Sequence, residues 1–387
     1  MKAAAVFTVD RKLGVVGDMP EPRLDGPADV KLRVLQVGVC ATDREIAAFH
    51  FGTPPEGFGY LVWGHEGFAE VVQTGPEVTD LQPGDLVVPT VRRPCDDPAC
   101  TACLNGRPDF CMTGLYREHG IVRIHGFMTE FVVDEARYMR KVPAAIRDVA
   151  VLVEPLTIAE KAFIQAEQIQ MRLPWNRLAA TAHGGAPLTR PKTNGGRGPV
   201  NGFAHHAVVL GAGPVGLLGA MALRLRGCEV TVYSREPETD ARADITRAIG
   251  ASYVSCLDCT PERMAAGIGN IDLIYEATGS ARLAFDMLNV LGRNGVLILT
   301  GVPGAHGREA IDLGALITNM TLKNQCLLAT VNAGNDAFDR AIADLTACRV
   351  RWPDALHGLI TGRFRLDQFE TPIRNPAGIK NIVEIAS

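Results

Sequence analysis

The sequence predicts an α/β protein in which a doubly wound parallel sheet is joined to a compact, partly closed β domain. Three observations carry the prediction. Short β-rich runs separated by Gly/Pro turns fill residues 1 to about 150. From Ala204 to about Asn332, apolar strand runs alternate with stretches of helical spacing. At the head of that alternation stands Gly211-Ala212-Gly213-Pro214-Val215-Gly216, a glycine-rich turn set between a strand pattern and a helix pattern. With 387 residues the chain is long enough for two cores.

Composition removes several function classes. A charged fraction of 21% and a hydrophobic fraction of 47% are those of an ordinary globular chain. A net charge of -4 without a Lys/Arg block offers no footprint for nucleic acid or an anionic membrane, which leaves small molecules as the expected partners. No run has the apolar length of a membrane span, and Met1 to Asp10 reads as a first strand, not a signal segment, so a cytoplasmic protein is expected. Ten cysteines in a chain of this length are no secreted disulfide scaffold.

In chain order, Val30 to Val37 and Gly67 to Val72 read as strands, and the Pro83-Gly84-Asp85 turn feeds another from Leu86 to Pro89. Next comes Cys95-x4-Cys100-x2-Cys103-x7-Cys111 on a Pro/Gly loop: four soft ligands, which around a tetrahedral zinc leave no open position and so act as a staple. Val151 to Ala162 turns helical. Leu173 to Gly202, rich in Pro, Gly, Asn and Arg without period, reads as a long surface loop joining two domains. Beyond it, strands are expected at Ala207–Leu210, Glu229–Tyr233, Ile271–Tyr275, Val296–Leu299 and Gln325–Ala329, with helices at Leu217–Arg226 and Ala281–Leu291. The tail, Leu356 to Leu366 and Ile379 to Ile385, reads as strands that return to the first domain. The expected division is therefore 1–200 with 333–387, and 201–332.

Two constellations carry chemistry. In the glycine turn, Gly211 makes the bend, Gly213 lets a pyrophosphate approach the backbone, and Gly216 lets helix and sheet pack closely, which is the mechanism of dinucleotide binding. At the end of the next strand, Ser234-Arg235 replaces the acidic residue that would bond an NAD ribose, so NADP is expected, with Glu236 leaving NAD tolerated. The second constellation is Cys40, His65, Glu66 and Glu154, the donor set of a catalytic zinc. Such an ion lowers the pKa of a substrate hydroxyl and so eases departure of hydride towards a nicotinamide. Thr42, two residues after Cys40, can bond that hydroxyl and pass its proton on. A metal site and a dinucleotide site in one chain imply dehydrogenation.

Together, Cys40-x-Thr42, Gly64-His65-Glu66-Gly67, the four-cysteine loop, Glu154-Pro155-Leu156 and the glycine turn resemble the zinc-dependent medium-chain dehydrogenase/reductase superfamily from end to end of the chain. Val91-Arg92-Arg93-Pro94, Arg117 to Val122, His125 to Phe131, Glu160-Lys161, Lys323-Asn324-Gln325 and Val331-Asn332 are most similar to its archaeal-type glucose 1-dehydrogenases. The resemblance implies a Rossmann domain inserted before the last strands of a GroES-like β-barrel catalytic domain. It implies that Cys40, His65 and Glu66 bind zinc, with Glu154 near the metal directly or through water. Glu118 and Asn332, beside Thr42 and Glu154, match positions that meet the sugar. Asn332 also faces the nicotinamide, and Thr278 belongs with the cofactor residues. The implied reaction oxidises the anomeric hydroxyl of an aldose such as glucose to the lactone, in a homo-oligomer, dimer or tetramer. Another polyol or alcohol dehydrogenase is the alternative enzyme. A cofactor-sensing protein without turnover has no need of an open metal site, so the intact Cys40, His65 and Glu66 argue against it. The chain departs from the family pattern in two residues added between Cys95 and Cys100 and in the length of the Leu173–Gly202 loop.

Overall fold

The computed structural model describes residues 1–174, 204–304 and 310–386. The expected Leu173–Gly202 loop lies outside the described residues from position 175 to its end. The chain divides into two compact units, Met1–Thr157 with Asn332–Ser387, and Ile158–Val331.

The first unit is built on three antiparallel-rich sheets. In chain order its strands are β1 (Ala3–Phe7), β2 (Lys12–Val16), β3 (Asp29–Gly38), β4 (Tyr60–Val62), β5 (Glu66–Thr74), β6 (Leu86–Pro89), β7 (Arg92–Arg93), β8 (Arg117–His119), β9 (Arg123–Ile124), β10 (Phe131–Glu135) and β11 (Met139–Lys141). The main sheet runs β11-β6-β5-β3 and continues through two strands from the far end of the chain, Lys380–Glu384 and Ile360–Arg365, while β10 also pairs with β3. Strand β3 shows why this sequence makes this sheet. Val30, Leu32 and Val34 are fully buried on one face, and the alternate Arg33 meets Glu70 directly across on β5 in an ion pair at 3.0 Å. Val30 and Leu32 pack with Val71, Leu81 and Val87 in one core cluster, whereas Val34 and Val37 join Ala3 to Val6, Trp63, Phe127, Met128 and Val383 in another.

The second unit is a six-stranded parallel sheet. Its strands are β12 (His206–Leu210), β13 (Glu229–Ser234), β14 (Ser252–Ser255), β15 (Leu273–Glu276), β16 (Val296–Leu299) and β17 (Cys326–Ala329), in the spatial order β14-β13-β12-β15-β16-β17. The order reverses at β12, the switch point outside which ligands bind in such sheets. Helix Pro214–Leu225 follows β12, and its apolar run from Leu217 to Leu223 is buried throughout. Among the described residues no helix is long and apolar enough to cross a membrane.

Several elements differ from expectation. The first break between units falls at Thr157/Ile158, inside helix Val153–Gln170, and not near 200. The reason is packing: beyond Thr157 the helix belongs with the parallel-sheet unit, where Phe163 stacks edge-on against Tyr275 at 5.2 Å and Arg226 pairs with Glu160 at 2.5 Å. The short strand β14 was not foreseen, since Ser252-Tyr253-Val254-Ser255 carries only two apolar residues and pairs on one side alone. The tail is not all strand: helix Asn335–Arg351 follows Asn332, and Leu356 lies in helix Pro353–His357. The strands there are Ile360–Arg365 and Lys380–Glu384, and the second joins β3, so the return to the first domain is as expected.

Candidate active site and metal centres

Cys40 ends the run out of β3 and caps helix Ala41–Ala47, with its backbone N–H donating to Asp43 Oδ2 at 2.8 Å. His65 and Glu66 sit where β5 begins. Ligand atoms of Cys40, His65 and Glu66 lie within 4.8 Å of one another. Thr42 is half-buried in the first turn of the helix that Cys40 caps. Asp43, fully buried, turns its other oxygen to His65 Nδ1 at 3.5 Å, which leaves Nε2 as the ring nitrogen open to a metal.

Two residues that sequence reasoning missed complete this arrangement, Asp43 and Lys380. Lys380 on the last strand is buried, donates to the Val39 carbonyl at 3.0 Å and forms an ion pair with Glu66. Gly38 makes room for it, because a Cβ there would overlap the Glu66 carboxylate and lie 2.9 Å from Lys380 Cε. Asp43 had a local signal, an acidic residue in the first turn after Cys40. Lys380 had none, being 341 residues along the chain from Val39.

Burial in this setting moves the titrations. Burial alone would lower His65, but the facing Asp43 carboxylate and the Cys40 thiol hold it well above its ordinary value. Glu154, in the first turn of helix Val153–Gln170, is pushed up to about 7, burial being the largest cause and His65, Glu66, Lys380 and Asp43 the charged neighbours. It stands outside the tight three-residue cluster yet within reach of its charges. Asp43 Oδ1 and His65 Nδ1 are buried, and among the described residues neither has a hydrogen-bond partner beyond their mutual approach at 3.5 Å. A soft thiol, an imidazole and a carboxylate brought this close together fit a divalent zinc.

The four cysteines of the loop converge as well. Cys95, Cys100, Cys103 and Cys111 bring their sulfurs within 4.8 Å of one another, and Cys100 and Cys111 are 3.9 Å apart. Tetrahedral Zn–S bonds of about 2.3 Å set sulfurs roughly 3.8 Å apart, so the two added residues after Cys95 leave a zinc-sized cage. Backbone N–H groups of Cys103 and Met112 lower the Cys100 thiol, while burial pushes Cys103 up to about 12. One cation would let all four ionise.

Glu118 and Asn332 meet. Asn332 Nδ2 donates to Glu118 Oε1 at 3.0 Å, and buried Arg92 donates to the same oxygen through Nε at 2.9 Å. Asn332 Oδ1 is buried and has no hydrogen-bond partner among the described residues. Arg92, unmarked as a site residue in the sequence, clamps this carboxylate.

In the parallel-sheet unit, Gly211 has φ +97°, and a Cβ on it would come within 2.7 Å of Thr278 Cγ2. Thr278 therefore abuts the glycine turn, held there by Glu276, whose Oε1 accepts from its N–H at 2.6 Å. A Cβ on Gly216 would strike the Gly211 carbonyl, whereas Gly213 faces open space. Gly213 caps helix Pro214–Leu225 without a side-chain bond, so Val215 and the rest of that N-terminus leave their dipole end to a ligand. Ser234 Oγ accepts from the Ala212 N–H at 3.0 Å and donates to Glu236 at 2.5 Å. Arg235 is 87% exposed and pairs with Glu236 at 3.5 Å. A cradle of this kind fits a dinucleotide. A separate concavity of about 590 Å³ in the first unit, lined by Gln36, Asp148, Arg349 and Arg363, includes none of these residues.

Comparison with known proteins decides the family. Residues 26–144 match the alcohol dehydrogenase GroES-like domain, and residues 194–385 match the glucose dehydrogenase C-terminus family. A glucose 1-dehydrogenase of Thermoproteus tenax is 40% identical over 91% of this chain and 90% of its own. That of Methanocella arvoryzae is 34% identical over the whole of both chains. This chain belongs to the archaeal-type glucose 1-dehydrogenases of the zinc-dependent medium-chain superfamily. A solved Haloferax mediterranei glucose dehydrogenase, in complex with NADP, Zn and gluconolactone, superposes with a TM-score of 0.84 at 31% identity, with all of both chains covered. The GroES-like and Rossmann expectations for this glucose 1-dehydrogenase fold are thus met.

Proposed function

We propose that this protein oxidises the anomeric hydroxyl of an aldose, glucose foremost, to the lactone: aldose and NADP⁺ give lactone, NADPH and a proton. The observation that carries it is the intact Cys40–His65–Glu66 donor cluster in a chain whose full-length relatives are glucose 1-dehydrogenases, one solved with NADP, Zn and gluconolactone.

Cys40, His65 and Glu66 would hold a zinc, which would supply Lewis acidity to make the C1 hydroxyl a better acid. Asp43 orients His65, and Lys380 restrains Glu66. Thr42 takes the hydroxyl proton in a hydrogen bond. Glu154, buried beside this cluster, is a carboxyl placed to hold or release a proton. Glu118, fixed by Arg92, and Asn332, whose Oδ1 has no partner among the described residues, bond the sugar hydroxyls. A site of this kind rejects analogues that leave those buried groups unpaired. Gly211 to Gly216 and Thr278 hold the cofactor, with Ser234 and Arg235 at its ribose. The four-cysteine loop holds a second zinc as a staple.

We further infer a homo-oligomer. Strand β17 is a sheet edge, and Leu313, Ile317 and Leu322 of the nearby helix in sequence, Leu313–Leu322, are exposed. All ten cysteines are free, which suits a reducing cytoplasm.

The test is a screen of aldoses and polyols with NADP and NAD, with identification of the product. Glucose should yield lactone, and Glu118→Gln should lower kcat/KM for glucose more than for any simple alcohol accepted. Faster turnover of a polyol lacking an anomeric hydroxyl than of every aldose would overturn the reading.

A further inference from the structure

At the opposite end of β12 from the glycine turn, His205 and His206 stand beside Glu229, the first residue of β13. None of the three belongs to the proposed active site. Their ligand atoms lie within 4.8 Å of one another. His206 and Glu229 are direct partners in the parallel register. Asp272 Oδ2 accepts from the backbone N–H of both histidines, at 2.9 and 3.0 Å, and the Glu229 N–H donates to the His205 carbonyl at 2.8 Å. The backbone that presents the three side chains is thus tied at several points.

The tautomer gives the site its meaning. His206 Nδ1 lies 3.1 Å from the Asn270 carbonyl, which can only accept, so Nδ1 carries the proton. In the neutral ring the Nε2 lone pair then points at Glu229 Oε2, 3.3 Å away, and lone pair faces lone pair unless a cation stands between them. His205 Nε2 is 3.7 Å from the other Glu229 oxygen. Two imidazolium rings with centroids 4.4 Å apart would repel one another, whereas a single dication serves all three groups. Zinc bonds of about 2.0–2.1 Å set ligand atoms roughly 3.3 Å apart in a tetrahedron, the spacing seen between His206 and Glu229. A carbonyl on the far nitrogen is also the usual outer partner of a metal-bound histidine.

We propose that His205, His206 and Glu229 form a further metal site, for a borderline divalent ion such as Zn²⁺, with a fourth position left to water. It ties the start of β12 to the start of β13, where the chain enters the parallel sheet.

Metal analysis after equilibrium dialysis of the full chain against Zn²⁺ tests this by difference between variants. Wild type should hold one zinc per chain more than Glu229→Gln and more than His206→Gln, while both variants keep wild-type turnover of glucose. Added Zn²⁺ should also raise the melting temperature of metal-stripped wild type further than that of either variant. Equal zinc content in wild type and both variants would overturn the site. So would variants that differ from wild type only in stability at acid pH, since the cation between the rings and the carboxylate would then be a proton.

Discussion

Lys380→Met isolates one charge at the centre of the proposed active site. The side chains are of similar length, so the exchange opens little cavity and removes mainly the ammonium. Lys380 and Glu66 are each 1% exposed, and the ammonium also donates to the Val39 carbonyl at 3.0 Å. Removing one partner of a buried ion pair costs about 3–5 kcal/mol, because the other is left as an uncompensated charge. Here Glu66 would be left near Asp43 and Glu154, both also buried. A loss of about 4 kcal/mol, nearly three decades in the unfolding equilibrium, is expected of metal-stripped protein. Bound zinc supplies Glu66 with a positive partner of its own, so less than half of that loss should remain when the metal is present. Urea unfolding of stripped and zinc-loaded protein, followed by the fluorescence of Trp63 in the core of the same unit, reads the difference. A loss below about 1 kcal/mol in stripped protein, or equal losses with and without zinc, would refute the idea that Lys380 compensates Glu66.

Cys103→Ser should remove one zinc per chain and lower the melting temperature while leaving kcat within about twofold, since a closed tetrahedral site offers substrate no position; an unchanged metal count would show the loop empty. Arg235→Ala should lower the ratio of kcat/KM for NADP over NAD by on the order of tenfold, as for a charge-assisted bond of about 1.5–3 kcal/mol, and Glu236→Gln should raise it. A ratio that neither substitution moves would end the role given to this corner. His125 gives a pH dependence: burial is the largest cause that lowers it to about 4, and Nδ1 accepts from the Val62 N–H at 3.1 Å. A depressed histidine contributes stability above its unfolded value near 6.5, and that contribution is lost as pH falls from there towards 4. The loss should be on the order of 1–2 kcal/mol after allowance for solvent screening. His125→Gln should flatten stability across this window, and equal slopes in urea melts of the two proteins would contradict the assignment.

The strands of both units were legible wherever apolar residues alternate or run together, as in β3 and β12, because burial on one face or two imposes those patterns. The glycine turn was legible too, since Gly211 must take a positive φ and Gly216 must yield to a carbonyl, needs that only glycine meets. The cysteine quartet and the Cys40, His65 and Glu66 set could be proposed from residue type, and coordination chemistry explains why. What the sequence could not contain is which charges answer one another across the fold. Lys380 against Glu66, Arg92 and Asn332 on one oxygen of Glu118, and His206 opposite Glu229 are pairings between distant positions with no local pattern. The break between units at Thr157 belongs to the same class, for helix Val153–Gln170 is a single run whose ends change partners. Local patterns record what a segment must bury, whereas the position of a charge and its counter-charge is settled only when strands close in register.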